Sequence, residues 1–197
     1  MTDIDSALDD IARLREQLAA SSRFQGLAPG VVALTGLFAL ALGGWQLRAT
    51  EEDLFVWILL AAICALMIGT EAVVRSRTHH RAMADRMLTT TLNRFLPVAT
   101  AGAIIGIVIL LRAPEHGRLL PGLWQVLMGV GIFSVLSNLP RQMLFAALFY
   151  FATGTASLIL SANNALSTAW LMMVPFGVGQ LFVAGLLLHA SREAPHG

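Results

Sequence analysis

Long apolar runs separated by short polar segments dominate the hydrophobic pattern of this chain. Six such runs occur, at about 29–47, 54–74, 95–111, 119–136, 142–161 and 168–189. Each run contains roughly the 17 to 21 residues that cross about 30 Å of hydrocarbon as a helix. The pattern therefore predicts an all-α polytopic membrane bundle with six transmembrane helices, within residues 27–190.

The first 26 residues follow a different pattern, because apolar side chains recur on one helical face among acidic residues. That face consists of Ile4, Ile11, Leu14 and Leu18, spaced on a seven-residue repeat. The spacing predicts a cytoplasmic amphipathic helix and linker at 1–26. Its apolar stripe needs a covering surface, which is either the membrane and the protein's own cytoplasmic loop or another chain. Residues 191–197 are assigned to a cytoplasmic tail.

The longest polar segment between apolar runs, residues 75–95, is rich in arginine. Its arginines are Arg75, Arg77, Arg81, Arg86 and Arg94. Basic segments between membrane spans stay on the cytoplasmic side. With both termini inside, ten arginines are cytoplasmic and only Arg48, Arg112 and Arg118 are outside, so we predict cytoplasmic termini. The clustered arginines are expected to face anionic lipid phosphates or the acidic N-terminal helix. The later part of the segment is predicted to be a helix whose apolar side continues towards the third span, and the residues of that side are Met83, Met87, Leu88, Leu92 and Phe95.

Tryptophans occur only at the predicted outer ends of spans, where their amphipathic rings favour the membrane interface. They are Trp45, Trp57, Trp124 and Trp170. This placement predicts an aromatic belt at the outer interface. An aromatic-walled pocket that opens to the outside is the alternative.

Pro175 and the glycines after it mark an irregular point in the last span. Proline removes one backbone hydrogen bond, so we predict a kink near the middle of this helix. Freed backbone groups and a nearby side-chain amide are suited to a polar ligand. The residues concerned are Pro175, Gly177, Gly179 and Gln180. The alternative is that they serve only helix packing.

Short motifs that contain proline or glycine occur in the same order in the two halves of the apolar region. LeuAlaProGly at 27–30 opens the first span as LeuLeuProGly at 119–122 opens the fourth, and GlyThr occurs at 69–70 and 154–155. Copies separated by three spans have inverted topologies, as in several transporter folds with a midplane site. The shared order of these motifs therefore suggests the hypothesis of an inverted 3+3 repeat.

Composition agrees with a membrane protein and limits the chemistry. The 197 residues are 56% hydrophobic and 13% charged, with a net charge of +1 and a single cysteine, Cys64. The centres of the predicted spans contain no Asp, Glu, Lys, Arg or His side chain, and Glu71, the nearest, is expected to pair with Arg75. We therefore expect no enzyme activity, no catalytic residues, no cofactor, no bound metal and no nucleic-acid binding.

Two metal sites remain as alternatives to solvated side chains. The first combines His79 or His80 with His189 at the inner interface. The second is an outer cation site, and its residues are Glu51, Glu52, Asp53 and His116. Adjacent histidines point about 100° apart on a helix, so His79 and His80 do not form the pair that binds one metal on one helix face.

Four sequence features follow one another in a recognisable order. They are SerSerArgPhe at 21–24, the arginine-rich segment, LeuProGlyLeuTrp at 120–124 and PheGlyValGly at 176–179. In this order they resemble a group of uncharacterised bacterial six-span membrane proteins, some of which are encoded beside winged-helix regulators. The resemblance implies the bacterial inner membrane and a membrane partner in regulation, and the family supplies no activity that could be carried over to this chain.

Together, these patterns favour a non-enzymatic inner-membrane protein with an accessory, regulatory or assembly role. That role would depend on the cytoplasmic helix and the arginine-rich loop. The alternative is a small transporter or binder of an amphipathic, lipid-like molecule, favoured by the repeat and by Pro175. The expected partners are anionic lipids at the inner face and either a second copy of the chain, giving a homo-oligomer, or a cytoplasmic protein.

Overall fold

The computed structural model describes residues 28–49, 53–78 and 81–192, with side chains at all of these except 76–78, 81–88 and 92. The described part is helical and contains no strand. Its helices are α1 (Pro29–Gln46), α2 (Leu54–Thr78), α3 (Arg81–Arg112), α4 (Leu120–Ser134), α5 (Met143–Ala162) and α6 (Thr168–Arg192). Short 3-10 helices, Pro114–Leu119 and Leu136–Asn138, flank α4. The all-α prediction is confirmed, while the predicted helix and linker at 1–26 lie entirely outside the described residues.

Five of the six helices are long and apolar enough to cross a membrane, and α4 is the exception. At 1.5 Å per residue, the 15 residues of α4 extend over about 22 Å, less than the thickness of the hydrocarbon core. The helix is short because the residues at both ends of the predicted run adopt 3-10 geometry instead. Five membrane-length helices indicate a membrane protein, and the sixth span is not confirmed.

The arginine-rich segment is helical on both sides of residues 79–80. Helix α2 continues to Thr78, beyond the predicted end at residue 74, and α3 begins at Arg81 rather than at residue 95. Residues 81–94 include several strong helix formers, such as Ala, Met, Leu and Arg, so the helix extends through polar sequence. The polar connection is therefore much shorter than the hydrophobic pattern indicates, and α3 reaches 32 residues.

The helices form a closed ring. Each helix packs against its neighbours in chain order, and α6 also packs against α1. Because the connections are short, successive helices run in opposite directions. The end of α1, the start of α2 and the connections at 113–119 and 163–167 thus share one end of the bundle, which we call the Trp57 end. The end of α2, the start of α3 and the connection at 135–142 share the other, the Arg94 end.

Two helix pairs, α1 with α6 and α4 with α5, pack much more closely than the others. A Cβ atom added to Gly36 would lie 2.8 Å from the carbonyl oxygen of Gly177, and one added to Gly122 would lie 2.9 Å from that of Gly154. Glycine permits such a close approach of helix backbones. We call these two crossings the glycine seams. A cluster of buried side chains, from Val32 on α1 to Leu187 on α6, joins these four helices into a packed core.

The structure does not confirm the inverted repeat. A repeat that relates α1–α3 to α4–α6 would make the α1–α2 contact equivalent to the α4–α5 contact. The α4–α5 contact contains a glycine seam, whereas α1 and α2 touch along a much smaller surface. The partner of α1 at its seam is α6, which belongs to the other half. Short proline and glycine motifs do not determine which helices pair.

Candidate functional site

Helices α2 and α3 form a hairpin that differs in burial from the packed core. The membrane-length parts of α2 and α3 are the two most apolar in the chain, yet only 6% of each is buried, compared with 50% in α6. Exposed apolar side chains cover this hairpin, among them Phe55, Leu66 and Leu111. In a membrane such a surface faces lipid or another protein. The hairpin, together with its arginine-rich end, is therefore the candidate functional site.

At the Trp57 end, Gln46 joins the end of α1 to the first turns of α2. The side-chain Nε2 of Gln46 donates to the Asp53 carbonyl at 2.8 Å, and the Trp57 indole N–H donates to Gln46 Oε1 at 2.6 Å. The Asp53 carboxylate accepts a hydrogen bond from the Phe55 N–H at 2.7 Å and so caps α2. Trp57 is only 3% exposed. This tryptophan is therefore part of a buried polar contact between two helices.

Trp124 joins α4 to α3. Its indole N–H donates to the Gly102 carbonyl at 3.0 Å, and the ring lies against Gly106. The two glycines, which are four residues apart, thus accommodate an aromatic ring rather than a second helix backbone. Trp45 and Trp170, in contrast, are 59% and 44% exposed. Two of the four tryptophans point inward, and the outer belt and its pocket alternative both stay predictions.

At the Arg94 end, side-chain hydrogen bonds connect α3 to the α4–α5 connection. Arg94 Nη1 donates to Ser137 Oγ at 2.6 Å, and Asn138 Nδ2 donates to Thr91 Oγ1 at 3.1 Å. Both bonds join residues that are more than 40 positions apart in sequence. This contact was not predicted, because nothing in the sequence shows which connection lies beside the arginine-rich segment.

Of the other predicted arginines in this segment, the structure describes the side chain of Arg75. Arg75 pairs with Glu71 one turn earlier, with Nε and Oε1 2.7 Å apart, which confirms the predicted ion pair. Arg77, Arg81 and Arg86 lie in helical segments whose side chains are not among those described. The predicted apolar stripe lies wholly outside the described residues. Its members are Ile4, Ile11, Leu14 and Leu18.

The residues around Pro175 lie on packed helix faces and do not converge on one point. Gly177 contacts α1 at the glycine seam, and Gly179 lies against the ring of Tyr150. Gln180 is half-buried beside Gly36. Helix α6 runs through Pro175 without interruption. These positions fit the packing alternative better than a shared ligand site, and the predicted kink stays a prediction.

The hydrogen bond that Pro175 removes is replaced by a side chain from another helix. Proline lacks the N–H that would donate to the Leu171 carbonyl four residues earlier. Gln125 Nε2 donates to this carbonyl at 2.8 Å, and Gln125 Oε1 accepts from Ser157 Oγ at 3.2 Å. The fully buried amide of Gln125 therefore links α4, α5 and α6. The sequence singles out Pro175 but does not show that Gln125 acts together with it.

The described residues contain no group of three or more His, Cys, Asp or Glu side chains that could hold a metal ion. Asp53 caps α2, and the exposed His116 Nδ1 lies 3.9 Å from Glu115 Oε1. The remaining members of the alternative metal sites, except the exposed His189, lie outside the described residues; they are Glu51, Glu52, His79 and His80.

No protein-family model, no curated protein and no solved structure matches the chain. The proposals below therefore rest on the contacts of this chain alone.

Proposed function

We propose that this chain is a non-enzymatic integral inner-membrane protein with an accessory, regulatory or assembly role. The α2–α3 hairpin and its arginine-rich end bind the partner. The observation that carries the proposal is the contrast between the apolar character of the hairpin and its low burial. In the proposed topology, the flanking 3-10 helices extend α4 to complete six spans, and both termini are cytoplasmic.

The way in which the hairpin is attached supports a role in which it responds to a partner. Side-chain hydrogen bonds link it to the packed core, among them Trp57 with Gln46, Trp124 with Gly102, and Arg94 with Ser137. We call these three the anchor contacts. Each hydrogen bond of this kind contributes about 1 kcal/mol. A shift of the hairpin breaks these weak bonds and the smaller packing contacts around Trp57 and Phe95, whereas separating a glycine seam disrupts a much larger helix interface.

The cytoplasmic parts of the chain supply the chemistry of recognition. Arginines of the segment 75–95 bind anionic lipid phosphates or an acidic protein surface through planar guanidinium groups. The apolar stripe of the N-terminal helix adds a second contact, with another copy of the chain or with a cytoplasmic protein. This combination suits a protein that recruits or stabilises another component at the inner face of the membrane.

Site-specific photo-crosslinking in bacterial membranes tests the partner surface. A photoreactive residue replaces Leu66 on α2, which is 68% exposed, and in a matched control it replaces Phe145 on α5, which is 60% exposed. We expect a protein adduct at position 66 and only lipid adducts at position 145, because both side chains are exposed but only the first belongs to the hairpin. Lipid adducts alone at both positions would contradict the proposal.

Deletion of residues 1–20 tests the contribution of the N-terminal helix. We expect the membrane bundle to stay folded, since the glycine seams join α1 to α6 and α4 to α5 directly, while the protein adduct at position 66 is lost or weakened. Size-exclusion chromatography in detergent checks the fold. An adduct of unchanged yield in the shortened chain would remove the N-terminal helix from the proposal.

A second candidate function, binding of an amphipathic molecule, is favoured by one observation. The structure contains a groove at the Trp57 end, between the hairpin and α6.

A further inference from the structure

A groove of about 450 Å³ opens at the Trp57 end, where the ends of α2, α3 and α6 meet the 3-10 helix Pro114–Leu119. Leu54 and Leu110 form apolar parts of its wall, and Arg118 and Ser167 line its polar part. We propose that this groove binds an amphiphile with an anionic head group, of which a phospholipid phosphate is the membrane example. The inference rests on the second candidate function, the binding of an amphipathic molecule, and assigns that binding to this groove.

The polar part of the groove is fixed by the turn that ends α5. Asn164 has a positive φ of 50°, a left-handed conformation that asparagine tolerates. The Asn164 N–H donates to the Ser161 carbonyl at 3.1 Å and the Ala165 N–H to the Leu160 carbonyl at 3.0 Å, which is the Schellman pattern. Just after this turn, the Leu166 carbonyl accepts a hydrogen bond from Arg118 Nη2 at 2.9 Å.

This hydrogen bond holds the guanidinium of Arg118 at the rim of the groove. A guanidinium has five N–H donors, and the bond to Leu166 uses one of them. The remaining donors suit a phosphate or carboxylate, which a planar guanidinium binds through paired hydrogen bonds. Arg118 is exposed, so an anion can reach it from outside the bundle.

Ser167 adds a hydroxyl group to the polar part of the groove, beside Arg118. The serine directly precedes α6, where a side-chain oxygen normally accepts a hydrogen bond from the first turn of the helix. Its Oγ is instead buried without any hydrogen-bond partner. A buried hydroxyl without a partner is unfavourable, and rotation of the Ser167 side chain towards the groove would let its hydroxyl donate to a bound anion. The N-terminus of α6 also carries a partial positive charge.

The apolar part of the groove distinguishes an amphiphile from a free anion. Beside Leu54 and Leu110 lie the exposed side chains of Phe55 and Leu111, which are 67% and 73% accessible. The groove therefore leads from a cationic rim to the apolar surface of the hairpin. A head group can bind at the rim while an attached acyl chain lies along the hairpin. A free phosphate would leave the apolar part uncovered.

Native mass spectrometry of the full-length protein, released from nanodiscs of phosphatidylcholine with increasing phosphatidylglycerol, tests this site. We expect Arg118→Gln to weaken phosphatidylglycerol binding about tenfold, because a charge-assisted hydrogen bond is lost. Arg112→Gln is the matched control, since Arg112 is also exposed, makes the same charge change and does not line the groove. Equal losses in the two variants, or no retained lipid in the wild type, would overturn the proposal.

Ser167→Ala separates ligand binding from a purely structural role. A hydroxyl that donates to the ligand predicts roughly threefold weaker lipid binding without loss of thermal stability, because an unpartnered buried group is removed. Unchanged lipid binding in this variant would exclude Ser167 from the site.

Titration with inorganic phosphate distinguishes the two sources of the anion. We expect no saturable binding of phosphate alone, and phosphate binding that depends on Arg118 would make a free anion the ligand and overturn the amphiphile. Retained lipid that is insensitive to Arg118→Gln would leave the second candidate function intact and refute only this groove. The photo-crosslinking result at Leu66 does not depend on any of these outcomes.

Discussion

The packed core and the α2–α3 hairpin show that hydrophobicity does not determine burial in this protein. The hairpin contains the most apolar segments but is almost entirely exposed, whereas α1, the least apolar of the five membrane-length helices, packs tightly against α6. Lipid tails are as apolar as a protein interior, so leucine-rich faces gain little by leaving lipid for protein. Small residues and buried polar groups decide instead which helices associate.

The two regions also differ in the kind of contact that connects them to their neighbours. In the core, backbones approach at the glycine seams, so any added side-chain atom meets a carbonyl group. At the hairpin, the anchor contacts are individual side chains, and each can be removed without displacing a helix backbone. Substitutions should therefore have large effects at the seams and small effects at the anchors.

The largest effect is expected at the seam between α1 and α6. Gly36→Leu should lower the free energy of unfolding by about 3 kcal/mol, because the new side chain must displace the Gly177 backbone. Gly44→Leu on the same helix is the control, since nothing lies within 4 Å of a Cβ atom added there. Equilibrium unfolding in mixed micelles, followed by tryptophan fluorescence, measures both. Equal destabilisation by the two substitutions would refute the distinction between seam and lipid-facing surface.

An intermediate effect is expected from the buried amide that joins three core helices. Gln125→Leu should cost about 1–2 kcal/mol, because the Leu171 carbonyl and the Ser157 hydroxyl lose their partner. Pro175→Ala restores a backbone N–H that can donate to the same carbonyl, so Gln125→Leu should cost less in that background. A double-mutant cycle in mixed micelles measures this coupling. Additive effects would show that Gln125 does not compensate for the proline.

The smallest effect is expected at the hairpin anchor formed by Trp124. Trp124→Phe removes the hydrogen bond to Gly102 but retains an aromatic ring, so we expect a loss of about 1 kcal/mol or less. Amide hydrogen exchange measured by mass spectrometry should rise in α3 and stay unchanged in α5 and α6. Trp170→Phe, at an exposed position, is the control and should change neither region. Increased exchange throughout the bundle would mean that the hairpin and the core are one cooperative unit.

The sequence predicts the all-α fold and all five helices that are long enough to cross a membrane, because continuous apolar runs of that length have few other structures available. The apolar residues of 83–95 predict a helix that continues towards the third span, and α3 confirms it, but hydropathy alone does not place the start of this helix at Arg81. The hydrophobic pattern also overestimates the length of α4, which is Leu120–Ser134 rather than 119–136. The residues 119 and 135–136 are apolar enough to continue the run, but they adopt 3-10 or turn geometry.

The pairing of side chains was less predictable than the helices themselves. Trp57 and Trp124 carry the same interfacial signal as Trp45 and Trp170, and only the position of a neighbouring helix turns the first two inward. The partner of the Leu171 carbonyl is 46 residues away. The rim of the groove combines Arg118 with a carbonyl 48 residues later. Such contacts depend on how the ring of helices closes, and local periodicity contains no information about that closure.

The buried amide of Gln125 has a consequence for the biogenesis of the chain. Helix α4 is short and contains a glutamine that has no partner until α5 and α6 are present. Such a segment partitions poorly into lipid when it leaves the translocon alone. Helix α5 follows after a short connection, offers the Ser157 hydroxyl and fits α4 at the Gly122–Gly154 crossing. We therefore expect α4 to enter the bilayer together with α5 as a preformed pair.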